Sequence, residues 1–322
     1  MAQLLRTLIA DRSDAGQRLD LVLRRHLADV DAATRTRVQA WIESGQVTVN
    51  GVVVRRVATR TAFGDVVTVV LPATPPRHAM AAEDVRLDIL HEDDYCLAVN
   101  KPAGVVVHPA HKNRDGTVMN ALLWHARHWP RSERPSLVGR LDKLTSGIVV
   151  VAKTAAIHAA LQRAMAANRS EKDYLAVVYG RVNVARGEID LRLGHDPNDR
   201  RRIVASATVG APSLTLFERL ARVDAGLSLL RCRLVTGRTH QIRVHLAARG
   251  WPLVGDPTYG EPRWSSIADS ALAAALSSFP RQALHAWRVA LTHPVTHQRL
   301  LLEAPIPRDF EGLLAATGLL VK

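Results

Sequence analysis

Four short segments hold side chains that could do chemistry together. In GRLDKLTSGIVVVAK (139–153), Arg140, Asp142 and Lys143 stand just ahead of a strongly apolar run, which places a polar cluster at the entrance of a buried strand. In TGRTHQIRVHLAARG (236–250), Arg238 sits where an apolar run passes into a helical pattern, and Arg243 lies near the following turn. An arginine from this segment meeting Asp142 across a cleft would favour the charged carboxylate, as a nucleophile requires once water is excluded. EKDYLAVVYG (171–180) opens a strand at Tyr174, whose ring can stack on a base and whose hydroxyl can exchange a proton. NKPAGVVVHPA (100–110) adds a Lys-Pro turn and His108-Pro109, suited to the rim of such a cleft. Taken singly, each segment also reads as ordinary structure: a charged turn, a core tyrosine, a proline corner.

The elements that must position these groups follow from the hydrophobic pattern. CLAVNKP (96–102) and SGIVVVAK (146–153) predict buried strands, TAAIHAALQRAMAAN (154–168) an amphipathic helix, and YLAVVYG (174–180), LSLLRCRLVTG (227–237) and HAWRVALTHP (285–294) further strands. Thr239 is the expected N-cap of a helix that ends at Gly250. Connections of hairpin length or irregular form predict an α+β domain with a mixed, largely antiparallel sheet. Earlier in the chain, Leu19, Val22, Leu23 and Leu27 mark one helical face, and Val38, Trp41 and Ile42 another. Asn50-Gly51 is the pair best suited to a tight hairpin turn, and VVTVVL (66–71) gives a further strand. The proline-rich PATPPRHAMAA (72–82) marks the break, so the division expected is a small domain at 16–72, a linker at 73–85 and a large domain at 86–322.

Composition narrows the function classes. With 322 residues, 47% hydrophobic and 23% charged, wholesale disorder is excluded. No apolar run approaches the roughly 18 residues of a membrane span, and no secretory leader is evident at the start, so a cytoplasmic protein is expected. Cys96 and Cys232 are too far apart in sequence for a CxxC pair and are expected as reduced core thiols. The net charge of +13, carried by 37 Arg and 6 Lys, favours a polyanionic partner without identifying it. No glycine-rich dinucleotide or phosphate loop is present. His125 and His128, like His240 and His245, lack the HExxH pattern and a cysteine partner, so no metal site is expected. A glycoside hydrolase would need a second carboxylate, but Asp173 adjoins Tyr174 in a strand and must point the other way.

TRTRVQAWIESGQVTVNG (34–51) followed by FGDVV (63–67) resembles the ribosomal-protein-S4-type (α-L) RNA-binding domain; Arg35 and Arg37, with Arg24, Arg25, Arg55, Arg56 and Arg60, are then expected to meet phosphates. KPAGVVVHP, RLDKLTSGIVVVAK, KDYLAVVYG and TGRTHQIRVHLAARGWPLVGDPTYG, in that order, resemble the RluA family of RNA pseudouridine synthases over about residues 86–307. The resemblance implies that Asp142 is the catalytic aspartate. It also implies that Arg140 fills the space of a flipped nucleotide, that Tyr174 stacks on the uracil, and that Arg238 pairs with the aspartate. Lys143 and His108 are expected as further RNA contacts. It implies no cofactor and an RNA partner, with 23S ribosomal RNA or a precursor ribosomal subunit foremost; a monomer is the default expectation. Gly139 and Leu144 depart from the His and acidic residue common at those places, which weakens assignment to a subgroup. Residues 186–212, with Arg200-Arg201-Arg202, and 261–282 are expected as cleft loops that set specificity. A non-catalytic RNA-binding or ribosome-assembly factor on the same fold would predict the same RNA affinity.

Overall fold

The computed structural model describes residues 4–27, 30, 33–71, 80–109, 113–166, 170–199, 202–260 and 263–319, in two compact units, Met1–Ala79 and Met80–Lys322. The expected linker falls partly on residues 72–79, outside those described.

The first unit contains β1 (Leu4–Ile9), α1 (Leu19–His26), α2 (Arg35–Glu43), β2 (Val47–Val49), β3 (Val52–Val53) and β4 (Val66–Leu71). Its sheet runs β1-β4-β2-β3. Asn50 and Gly51 adopt φ of 51° and 81°, the left-handed pair that a two-residue hairpin needs to match strand twist. The apolar faces of α1 and α2 place Leu19, Leu23, Val38 and Ile42 against Val47, Val67 and Val69. Strand β1 is not evident from the sequence, because it is an edge strand whose side chains are mostly exposed, leaving little alternation to read.

The second unit contains β5 (Ile89–Glu92), β6 (Cys96–Lys101), α3 (Val118–His125), β7 (Ser136–Leu137), β8 (Ser146–Ala152), α4 (Ala155–Ala166), β9 (Ser170–Tyr179), β10 (Arg186–His195), β11 (Ile203–Ser206), β12 (Ala211–Val223), β13 (Leu227–Leu234), α5 (Gln241–Ala248), α6 (Ser270–Ser278), β14 (Leu284–Thr292), β15 (Arg299–Glu303) and α7 (Arg308–Thr317). One mixed sheet runs β11-β10-β12-β13-β9-β14-β8-β6-β5, with β15 on β14 and β7 on β8. Its pairings are antiparallel except between β14 and β8. Residues 186–212 are therefore largely strand rather than cleft loop, and 261–282 hold a 3-10 turn at Arg263–Ser266 and then α6. Arg200 and Arg201 lie outside the described residues. Among the described residues no helix is long and apolar enough to cross a membrane.

Period-two alternation in β9 sorts its side chains between two cores. Leu175, Val177 and Tyr179 join Phe310 and Leu313 of α7 on one face. Ala176 and Val178 join Ile242 and Leu246 of α5 on the other, where Tyr174 is half-buried. The meeting of β8 and β14 demands a glycine: Gly147 has φ +112°, and a Cβ there would lie 2.2 Å from the Ala286 carbonyl oxygen. Gly147 follows Asp142 by five positions in the chain.

Candidate active site

A cavity of about 630 Å³ opens between the 139–145 loop, the start of β9, the segment joining β13 to α5, and β14. Asp142, Tyr174, Arg140 and Arg238 all line it, so three segments far apart in sequence are brought together. Lys143 and His108 are not among its lining residues; the Lys143 side chain is exposed and its contribution is a carbonyl. His108 is also exposed, and desolvation together with the nearby Arg140 charge holds its pKa below the usual histidine value. Arg35 and Arg37 lie on α2 of the first unit.

The cation paired with Asp142 is Arg243 rather than the expected Arg238. Arg243 Nη1 donates to Asp142 Oδ2 at 2.9 Å, whereas Arg238 is exposed and is held through its backbone N–H on Gln241 Oε1. The reason lies in the helix. Arg243 sits between Ile242 and Val244 on the buried first turn of α5, so its guanidinium is forced inward and must find carboxylates. It finds two: Nε and Nη2 donate to Asp256 at 2.7 and 2.8 Å. Burial opposes the charge on Arg243, but the hydrogen bonds and charge of Asp256, reinforced by Asp142, outweigh it and raise its pKa further. Asp256 is likewise opposed by burial, yet Arg243 and the Thr258 and Tyr259 backbone N–H groups hold its carboxyl below the ordinary range. Asp142 keeps a quarter of its side chain exposed, with Oδ2 committed to Arg243 and Oδ1 turned toward His240.

Two buried cations fix the loop behind Asp142 by its carbonyls. Lys101 Nζ donates to the oxygens of Pro102, Val105 and Lys143 at 2.8, 2.9 and 3.2 Å; burial and the Arg281 charge push its pKa down to about 7. Arg281, clamped on Asp309, reaches the Leu144 carbonyl at 3.4 Å. Across the cavity, Arg140 Nη2 donates to Thr239 Oγ1 at 2.6 Å. Thr239 is thus occupied elsewhere, and the N-cap position falls on His240, in the left-handed region at φ 55°.

Tyr174 and Lys172 share the cavity face of β9. Asp173 turns away and is paired with Arg233 at 2.7 and 2.9 Å, which removes it as a second catalytic carboxylate. Burial, with the Asp142 charge, pushes the Tyr174 hydroxyl above its ordinary pKa, so the ring faces the cavity as a neutral phenol. Sequence reasoning left Asp256, His240, Tyr259 and Gln241 without roles, although the strings THQIR and GDPTYG that contain them were part of the resemblance.

Comparison with known proteins gives the family. The RNA pseudouridylate synthase family pattern matches residues 94–248 and the S4 domain pattern residues 17–67. Curated relatives include the ribosomal large subunit pseudouridine synthase D of Nitrosomonas europaea, 41% identical over 94% of this chain and 85% of that protein. The protein of the same name from Vibrio vulnificus is 39% identical over 94% and 91%. Among solved structures, human RNA pseudouridylate synthase domain containing 1 aligns with a TM-score of 0.56 and 27% identity, over 73% of this chain and 89% of that one.

Proposed function

The chain belongs to the RNA pseudouridylate synthase family, and we propose that it isomerises a uridine of large-subunit ribosomal RNA, with Asp142 acting at the ribose. The relatives' names support the substrate. In this reading residues 86–322 form the catalytic domain and 16–72 an RNA-binding domain, working as a monomer in the cytoplasm.

The reaction breaks the bond between the anomeric carbon and N1, turns the uracil and rejoins it through C5, with loss of the C5 proton and gain of one at N1. The observation that carries the assignment is the split use of the Asp142 carboxylate: Oδ2 is fixed by a guanidinium that Asp256 immobilises, while Oδ1 stays open to the cavity. Attack on the anomeric carbon and removal of the 2′ proton would both start from that oxygen. Arg243 remains charged at any accessible pH, so the carboxylate always has a counter-charge that needs no reorganisation during reaction. Tyr174 offers a flat wall on which the detached base can lie. Arg140, bonded to Thr239 across the cavity, would take the position vacated by the extruded nucleotide, whose unstacking costs least in loops and bulges.

The test is release of tritium from ribosomal RNA labelled at uridine C5, with the modified position mapped by carbodiimide-induced reverse-transcription stops. Asp142→Ala should abolish release, by about 10⁴-fold or more, while RNA affinity persists. A wild-type protein that releases none from any cellular RNA would leave only a binding factor.

A further inference from the structure

We propose that His240 determines specificity for a ribonucleotide at the reacting position, its Nε2–H donating to the 2′-oxygen of the target ribose. The inference deepens the reading above and rests on Asp142 acting at the sugar.

Three features converge on this side chain. First, its backbone is held at φ 55° and ψ 18°, a left-handed conformation that a non-glycine residue keeps only where its surroundings impose it. That conformation, at the cap of α5, lets the imidazole line the cavity. Second, the ring is oriented from behind. His240 Nδ1 lies 2.9 Å from the Tyr259 hydroxyl, and that hydroxyl already accepts the Ile203 N–H at 2.9 Å. In this assignment Tyr259, its oxygen already accepting from Ile203, donates its own proton to Nδ1. The imidazole proton is thereby placed on Nε2, the edge facing Asp142. Third, the spacing fits an intervening atom. Nε2 stands 3.9 Å from Asp142 Oδ1, too far for a direct hydrogen bond, but one oxygen about 3 Å from both can sit between them.

A ribose 2′-hydroxyl has the valences for that place, accepting from Nε2–H and donating to Oδ1. Its carbon is bonded to the anomeric carbon, so the contact would bring the reacting end of the sugar over Oδ1 and leave a second lone pair of that oxygen free. Neutrality matters here. Desolvation, aided by the Arg243 and Arg140 charges, holds the His240 pKa below the ordinary value despite the pull of Asp142 and Asp256. The donor thus adds no second cation to compete for the carboxylate.

The experiment uses the full-length protein and a large-subunit ribosomal RNA fragment carrying the mapped uridine, prepared with ribose or with 2′-deoxyribose at that one position. Single-turnover rates are compared for wild type, His240→Ala, His240→Gln and Tyr259→Phe. Wild type should prefer the ribose substrate by about 10²-fold, and His240→Ala should lose about tenfold of that preference, mostly through slower reaction of the ribose substrate. His240→Gln, which keeps an amide donor, should recover part of it. Tyr259→Phe, which frees the tautomer, should fall between wild type and the alanine variant. A merely structural role would slow both substrates equally, so undiminished preference in His240→Ala, or in Tyr259→Phe and His240→Gln should the alanine variant not fold, overturns the assignment. So does a wild type indifferent to the 2′-hydroxyl. A wild type inactive on the ribose substrate instead overturns the reading of Asp142, which keeps the two failures apart.

Discussion

In the first unit the arginines stand outside. Arg18 and Arg25 keep 42% and 51% of their side chains exposed even while pairing with the buried Asp20 and Asp14, and Arg35 on α2 is exposed as well. In the second unit the cations that matter are inside: Arg243 and Arg281 are 5% and 3% exposed, and Lys101 is buried against three carbonyls. An exposed guanidinium is solvated whether or not it has a partner, so it is free to exchange water for phosphate. A buried one has lost its water and cannot be removed without orphaning the carboxylates around it. The same residue type is therefore available for binding in one unit and holds carboxylates and loop carbonyls in place in the other.

The largest effect that would sharpen this contrast is at Arg243. Arg243→Ala leaves Asp256 buried without its cation, and the expected loss is about 3–5 kcal/mol of stability in the second unit. Activity should fall by about 10²–10³-fold through the freed Asp142, measured by tritium release below the lowered melting temperature. Arg238→Ala, on the exposed rim, should leave stability unchanged and slow the reaction only a few-fold. Equal effects from the two would break the comparison, since they would mean that burial confers no special role.

Acid separates the units next. His245 and His285 are fully buried, and burial pushes both pKa values down to about 4, against about 6.5 in an unfolded chain. Between those values the unfolded chain binds protons that the folded one refuses, so stability falls as pH drops from about 6.5 to 4. By pH 5 the loss is about 2 kcal/mol for each histidine. Asp93 and Asp256, whose carboxyls are held below the ordinary range, add theirs only at lower pH. Urea unfolding at pH 6.5, 5.8 and 5.0, followed by the fluorescence of Trp41 in one unit and the five tryptophans of the other separately replaced, should show the second transition moving much more than the first. A second unit whose midpoint does not move would mean that these imidazoles are not isolated from solvent.

The same contrast decides what was legible in the sequence. The 146–152 strand, the Asn50-Gly51 turn and the alternation of Lys172, Asp173 and Tyr174 rest on local chemistry, and the fold follows them. The choice between Arg238 and Arg243 does not, because it depends on which face of α5 packs inward and on Asp256, thirteen positions beyond. One clue was present: an arginine flanked by Ile242 and Val244 and followed by Leu246 in a helix is headed for burial, and a buried guanidinium must have carboxylate partners. The strands within 186–212 were missed for a related reason. Much of their side-chain surface is exposed, so their pairing along the sheet edge leaves a weak hydrophobic signature.

The smallest expected effect lies in the first unit. Arg35 and Arg37 begin α2, Arg35 exposed and Arg37 partly so. If they neutralise phosphates, replacing both with alanine releases two fewer counterions on binding, and the slope of log affinity against log salt should shallow by about 1 per arginine. Affinity should drop roughly tenfold near 0.1 M salt and by less as salt rises, because the contribution is electrostatic and screened. Stability should stay within about 0.5 kcal/mol, as expected for surface changes. The rate at saturating RNA should hold, because nothing at the carboxylate is touched. Filter binding across a salt series, paired with saturating single-turnover rates, measures both quantities. A fall in the saturated rate with an unchanged salt slope would place these arginines in the chemistry and erase the division between outer and inner cations. A shallower slope at constant rate would extend it to the residues for which it makes the weakest claim.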